Sequence, residues 1–238
     1  MKRLVGFSSG ALAYSDFRRG VAMLLANNIR AIELSALREN ELEPMISGIP
    51  ELDLSQFEYI SVHAPSAFKA ETEEVIVSKL ADLCAERNWP IILHPDAVYE
   101  PSVWRRLGKL LCIENMDKRK AGGRTADELS GIFDQFPDAS FCFDIGHARQ
   151  VDATMTESYL ILRKFGNRLR QVHVSEVNTR SKHDPLSWAS ILAFREVAEF
   201  IPPNIPLILE TPVREDQLYE EMRKASEALP VHELALAD

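Results

Sequence analysis

The sequence predicts an α/β protein, a (β/α)8 barrel forming one domain over residues 1–238. Three observations carry that reading. Eight short apolar runs recur along the chain, each followed by helical or irregular sequence, with no break in composition between them. Six of the runs stop on a residue that can bind a metal, as expected where parallel strands open onto a common mouth. The competing architecture is an open doubly wound sheet, but no GxGxxG follows the first run and no GxxxxGK[ST] occurs anywhere.

Taken in order, Leu4 to Phe7 is the first strand. Met1-Lys2-Arg3 in front of it resembles the charged start of a signal peptide, but Ser8, Ser9 and Gly10 cut the apolar stretch short. Ser15-Asp16 can cap a helix to about Ala26, with Phe17, Val21, Leu24 and Leu25 at helical spacing. Ala31 to Leu34 is the second strand, Glu39 to Ile46 a short helix, Ile49 to Phe57 irregular, and Tyr59 to His63 the third strand. Glu71 to Arg87 is a long amphipathic helix before the fourth strand, Ile91 to Leu93. Pro101 opens a helix to Leu110, and the fifth strand, ending in Glu114, follows at once. Thr125-Ala126-Asp127-Glu128 is a capping box for a helix to about Phe136. Phe141 to Phe143 is the sixth strand, Thr156 to Phe165 a helix stopped by Gly166-Asn167, and Gln171 to Val174 the seventh strand. Pro185 to Phe200 is helical, Leu207 to Leu209 is the eighth strand, and Gln217 to Leu229 is the last helix.

Composition excludes several classes. The apolar fraction of 46% and charged fraction of 26% are those of a soluble globular protein, and no apolar run approaches the ~20 residues of a membrane span. Cys84, Cys112 and Cys142 are odd in number and form no CxxC pair, which points to a reduced, cytoplasmic protein. A formal net charge of −9, from 27 Lys+Arg against 36 Asp+Glu, argues against a nucleic-acid partner, although a local basic rim or bound cations would offset it. Arg180 and Lys182 alone are too few for a phosphate-binding cluster. The sequence leaves room for a homo-oligomer.

The strand ends carry the chemistry. Glu114, Asp144, His173 and Glu210 close four successive strands, so their side chains can converge at one mouth. Three carboxylates and an imidazole form a donor set suited to Mn, Mg, Co or Zn as a divalent ion. The alternative is that each carboxylate caps a strand or pairs with an arginine. His63 and His94 close the third and fourth strands, His147 lies three residues past Asp144, and His183 sits in the loop after the seventh strand. Each of these can be a ligand, a wall residue or a substrate contact. Gly146 permits a sharp turn before His147. Glu33, near the end of the second strand, fits a carboxylate behind the ligands or a structural one, and His232 in the tail reads as surface.

Six motifs now identify a resemblance: SVHAP (Ser61–Pro65), LHPD (Leu93–Asp96), IENMD (Ile113–Asp117), FDIGHA (Phe143–Ala148), HVSE (His173–Glu176) and LET (Leu209–Thr211). Over nearly its whole length the chain resembles the xylose-isomerase-like TIM barrels, which include sugar isomerases, ketose 3-epimerases, inosose dehydratases and endonuclease-IV-type apurinic endonucleases. The epimerase-like members imply one ion on Glu114, Asp144, His173 and Glu210, chelating a small sugar-like hydroxy-carbonyl substrate and stabilising its enediolate. Glu114 and Glu210 are then the acid–base pair on opposite faces of the reacting carbon, and His147 and Arg180 resemble residues that hold substrate hydroxyls. The endonuclease-like members imply three zinc ions and phosphodiester hydrolysis. His63, His94 and Glu114 hold the first ion and Glu114, Asp144, His173 and Glu210 the second, while His147 and His183 help hold the third. The chain departs from that pattern at Ser181, where an aspartate is expected. A metal-dependent isomerase or epimerase is the leading expectation, a multinuclear-zinc phosphodiesterase the alternative, and a non-catalytic sugar-binding barrel a third reading.

Overall fold

Runs of Val, Ile, Leu and Phe too short for helices are stable only as buried parallel strands covered by helices, and the chain uses them that way. The computed structural model describes residues 3–14 and 16–231. Its elements are β1 (Val5–Ser8), α1 (Ser9–Ala13), α2 (Phe17–Ala26), β2 (Ala31–Ser35), α3 (Glu39–Gly48), β3 (Tyr59–His63), α4 (Glu73–Cys84), β4 (Ile91–Leu93), α5 (Pro101–Arg105) and β5 (Leu111–Glu114). They continue with α6 (Ala126–Gln135), β6 (Ser140–Asp144), α7 (Ile145–Val151), α8 (Thr156–Phe165), β7 (Leu169–Val174), β8 (Glu176–Val177), β9 (His183–Asp184), α9 (Trp188–Arg195), β10 (Leu207–Leu209) and α10 (Leu218–Ala228). Strands β1 to β7 and β10 pair in parallel and close into an eight-stranded barrel, β10 lying between β7 and β1. This is a (β/α)8 barrel.

Alternation along each strand separates two interiors. Leu111 and Ile113 of β5 join the main core between strands and helices, whereas Cys112 meets Ile92 and Cys142 in a small cluster of its own. The same alternation puts Glu114 on the face of Cys112, above it toward the C-terminal end. All three cysteines are free and buried. Where β1 crosses β2 the backbones come so close that a Cβ on Gly6 would lie 1.9 Å from the Ala31 carbonyl oxygen.

Several boundaries differ from the sequence expectation. Asp16 caps α2 by accepting from the Arg19 amide; Ser15, and His232 in the tail, lie outside the described residues. The expected helices over 71–87, 101–110 and 185–200 are shorter α-helices with single 3-10 turns beside them. Four elements were not foreseen: α1, which leaves β1 without a loop; α7, which leaves β6 in the same way; and the antiparallel strands β8 and β9. Among the described residues no helix is long and apolar enough to cross a membrane.

Candidate metal centre

The register of the barrel delivers the strand-end side chains to one level. Asp144 of β6 sits opposite His173 of β7, Ser35 of β2 opposite His63 of β3, and Glu210 follows directly on β10. Asn115 locks two neighbouring strand ends together. Its side-chain amide donates to the Asp144 carbonyl, its side-chain oxygen accepts from the Asp144 amide, both at 2.8 Å, and its own carbonyl accepts from His147 Nδ1 at 3.0 Å. Asp144 is also the N-cap of α7, accepting from the His147 amide at 2.7 Å, so the expected ligand starts the helix that carries the next histidine. Gly146 lies inside that helix without positive φ; its glycine is needed for contact rather than for a sharp turn. A Cβ there would lie 2.5 Å from the Ser175 carbonyl oxygen.

Glu114 is the hub. His63 Nε2 and His94 Nε2 stand 3.4 and 3.3 Å from its Oε2, and His173 Nδ1 stands 3.3 Å from its Oε1. His173 Nδ1 is also 3.5 Å from Glu210 Oε2. Two donors held about 2.1 Å from one ion at tetrahedral angles are themselves about 3.4 Å apart, so these spacings are those of ligands around a shared cation. His63 Nδ1 lies 2.7 Å from the Ala64 carbonyl and His173 Nε2 lies 2.9 Å from Glu33, so when each ring gives up its second proton the lone pairs of His63 Nε2 and His173 Nδ1 are turned toward Glu114. Both Glu114 oxygens, Asp144 Oδ2 and His173 Nδ1 are buried without a hydrogen-bond partner. Buried polar atoms are rarely left so, and four clustered at the strand ends fit the binding of divalent cations.

Four groups of donors could hold an ion: His63, His94 and Glu114; Glu114, Asp144, His173 and Glu210; Asp144, His147 and His183; and Glu114, Cys142 and His173. The first three share carboxylates, Glu114 joining the first to the second and Asp144 the second to the third. The four expected ligands are thus brought together with His63, His94, His147 and His183, for which ligand, wall and substrate contact were all open. Ser181 donates its hydroxyl to Asp117 Oδ1 at 2.7 Å and is not in any of these groups.

The charges are strongly coupled. Burial favours a neutral ring at His63, but Glu114, Glu33 and Glu210 outweigh it and raise the imidazolium pKa to about 9. His173 is pushed up as well, its burial overcome by the surrounding anionic groups, Glu210, Glu33 and Glu114 among them. Burial raises Asp144 to about 6, with Glu114 and Glu210 adding to it against the pull of His147. Burial also works against the Glu114 carboxylate, but His173 and His94 hold it well below the usual range.

Above the donors lies a cavity of about 430 Å³, lined by His63, His94, His147, His183 and Glu210. Its rim includes Arg119, Lys120 and Lys182, so the basic cluster that the sequence did not reveal is assembled from two loops. Arg180 is exposed in the turn between β8 and β9 and does not line the cavity. A larger hollow of about 860 Å³ lies among Arg3, Asn28, Tyr219 and Leu229 at the opposite end of the barrel, away from every donor.

Comparison with known proteins agrees with this architecture. The chain is similar to endonuclease IV from Thermus thermophilus, at 20% identity and a TM-score of 0.62, over 95% of this chain and 98% of that one. It is similar to a xylose isomerase domain containing protein from Salmonella typhimurium, at 15% identity and 0.59, over 96% and 98%. These likenesses show a shared fold, the (β/α)8 barrel. The structure titled SacUVDE aligns at 16% identity and 0.56, over 94% of this chain and all of that one. No family model and no curated protein matches the chain.

Proposed function

We propose that the chain is a metal-dependent hydrolase of phosphate esters. The observation that carries this is the split of Glu114: one oxygen faces His63 and His94 and the other faces His173, so one carboxylate bridges two donor groups. A single-ion enzyme takes its ligands from Glu114, Asp144, His173 and Glu210 and uses the surrounding histidines as pocket wall or substrate contacts, whereas adjoining ions would use His63, His94, His147 and His183 as ligands too. Divalent ions in adjoining groups would supply Lewis acidity to both the attacked phosphoryl group and a water nucleophile. The protein's own part is to fix the donors. Glu210 lines the cavity, while Glu114 and Asp144 are sealed beneath it, so Glu210 is placed to take a proton from a water attacking phosphorus. The water oxygen forms a new P–O bond, the ester P–O bond breaks, and the proton taken by Glu210 passes to the departing oxygen, which leaves as an alcohol.

A second reading is a sugar isomerase or epimerase working through an enediolate with Glu114 and Glu210 as acid and base. It is favoured by the four-ligand group and by Ser181, which gives the third group no further carboxylate. The test is to load the protein with the metal found in it and follow nitrophenolate release from bis(p-nitrophenyl) phosphate, in parallel with deuterium uptake by a panel of ketoses. Nitrophenolate release that is lost in Glu114→Gln supports the hydrolase. Solvent deuterium entering a ketose without phosphate-ester cleavage would replace it with the second reading.

A further inference from the structure

The cavity above the donors has two unlike walls. On one side, the loop after β5 brings Arg119 and Lys120, held at the rim by Asp117 at 3.3 Å and Asp96 at 2.6 Å. Arg119 also donates to the Ser181 carbonyl at 3.3 Å, which ties the β8–β9 turn to this loop and sets Lys182 beside it. The Lys182 ammonium has no ion-pair partner among the described residues, so this side carries a cation free to meet an anion.

Across the barrel, the segments after β1 and β2, four and three strands from β5, form the other wall, from Tyr14, Leu37 and Ala11. Tyr14 is 78% exposed, and its φ of 56° lies in a region that L-residues seldom adopt. Neither the strain nor the exposure of a large aromatic ring at the mouth contributes to the core. Leu37 beside it is exposed as well. An apolar, aromatic surface facing a cationic one across buried metal donors matches a ligand that is charged at one end and flat and apolar at the other.

We propose that the site takes a small phosphate ester bearing a planar ring, its phosphate beneath Arg119, Lys120 and Lys182 and its ring against Tyr14 and Leu37; this rests on the phosphate-ester reading above. A cavity of about 430 Å³ is large enough to hold one such molecule.

The test is calorimetric titration of the metal-loaded full chain with inorganic phosphate, ribose 5-phosphate and adenosine 5′-monophosphate. The nucleotide is expected to bind about tenfold or more tightly than the sugar phosphate, the difference that stacking a base on an aromatic ring supplies. Tyr14→Ala should bring the nucleotide to the level of ribose 5-phosphate and leave inorganic phosphate unchanged, whereas Lys182→Ala should weaken all three alike. Both side chains are exposed, so neither change threatens folding. Equal affinity for nucleotide and sugar phosphate in the unaltered protein, or a Tyr14→Ala loss shared by all three, would overturn the ring assignment while leaving the phosphate reading standing. Binding of none of the three would overturn both.

Discussion

The imidazole of His173 donates its Nε2–H to the carboxylate of Glu33 at 2.9 Å, and both side chains are fully buried. Glu33 Oε2 also accepts from Gln171 Nε2 at 2.8 Å and Ser61 Oγ at 3.1 Å. A carboxylate behind a ligating histidine fixes its tautomer and strengthens it as a donor. Glu33→Gln should therefore weaken metal binding by about 10- to 100-fold while every direct donor stays in place. Competitive titration with a chelating dye measures this. An unchanged metal affinity would make Glu33 structural only.

The bridging role of Glu114 predicts that its loss is worse than the loss of a single histidine. Glu114→Gln should remove more than one ion per chain, because two donor groups share this residue. His63→Asn should remove about one and spare the four-ligand group. Elemental analysis of the two variants side by side checks the order; equal losses would contradict it.

Metal affinity should rise with pH. The His63 pKa of about 9 means that at pH 7 the ring holds a proton that an ion must displace, since only the neutral imidazole binds. Affinity should therefore fall on acidification below about 9, by about tenfold per pH unit for each proton released. Below about 6, protonation of Asp144 adds a second competing proton and steepens the fall. Titrations in buffers of different ionisation enthalpy count the protons directly, and a flat profile between pH 6 and 8 would contradict this charge arrangement.

Gly146→Ala places a methyl group 2.5 Å from the Ser175 carbonyl oxygen and 2.8 Å from Val177 Cγ2. Neither neighbour can move without disturbing β7 or the β8–β9 pair, so a loss of about 1–3 kcal/mol is expected, read as a lower midpoint in thermal unfolding. Because α7 carries His147, metal binding should suffer with it. Unchanged stability would show that α7 can shift freely.

How far the sequence revealed these features follows from their physics. Parallel barrel strands are buried on both faces, so Ile91–Leu93 or Leu207–Leu209 stand out as apolar runs, and a polar residue ending each run marks the mouth. That is why His63, His94, Glu114, Asp144, His173 and Glu210 were legible. The α7 helix was not, because Asp144 serves both as strand-end donor and as helix cap, so no loop signal separates β6 from α7. Strands of two residues, as in β8 and β9, are too short to show any periodicity. Arg119 and Lys182 lie far apart in sequence and meet only through the Arg119 contact with the Ser181 carbonyl, so the basic rim belongs to the fold alone.

Metal content tests most directly whether Glu114 joins adjoining ions. The protein should be purified without chelator or affinity-tag metal and its ions counted by elemental analysis against the chain concentration. About two to three divalent ions per chain is the predicted result. A single ion per chain, unchanged on adding excess metal, would contradict the bridged centre and return the site to one ion on Glu114, Asp144, His173 and Glu210.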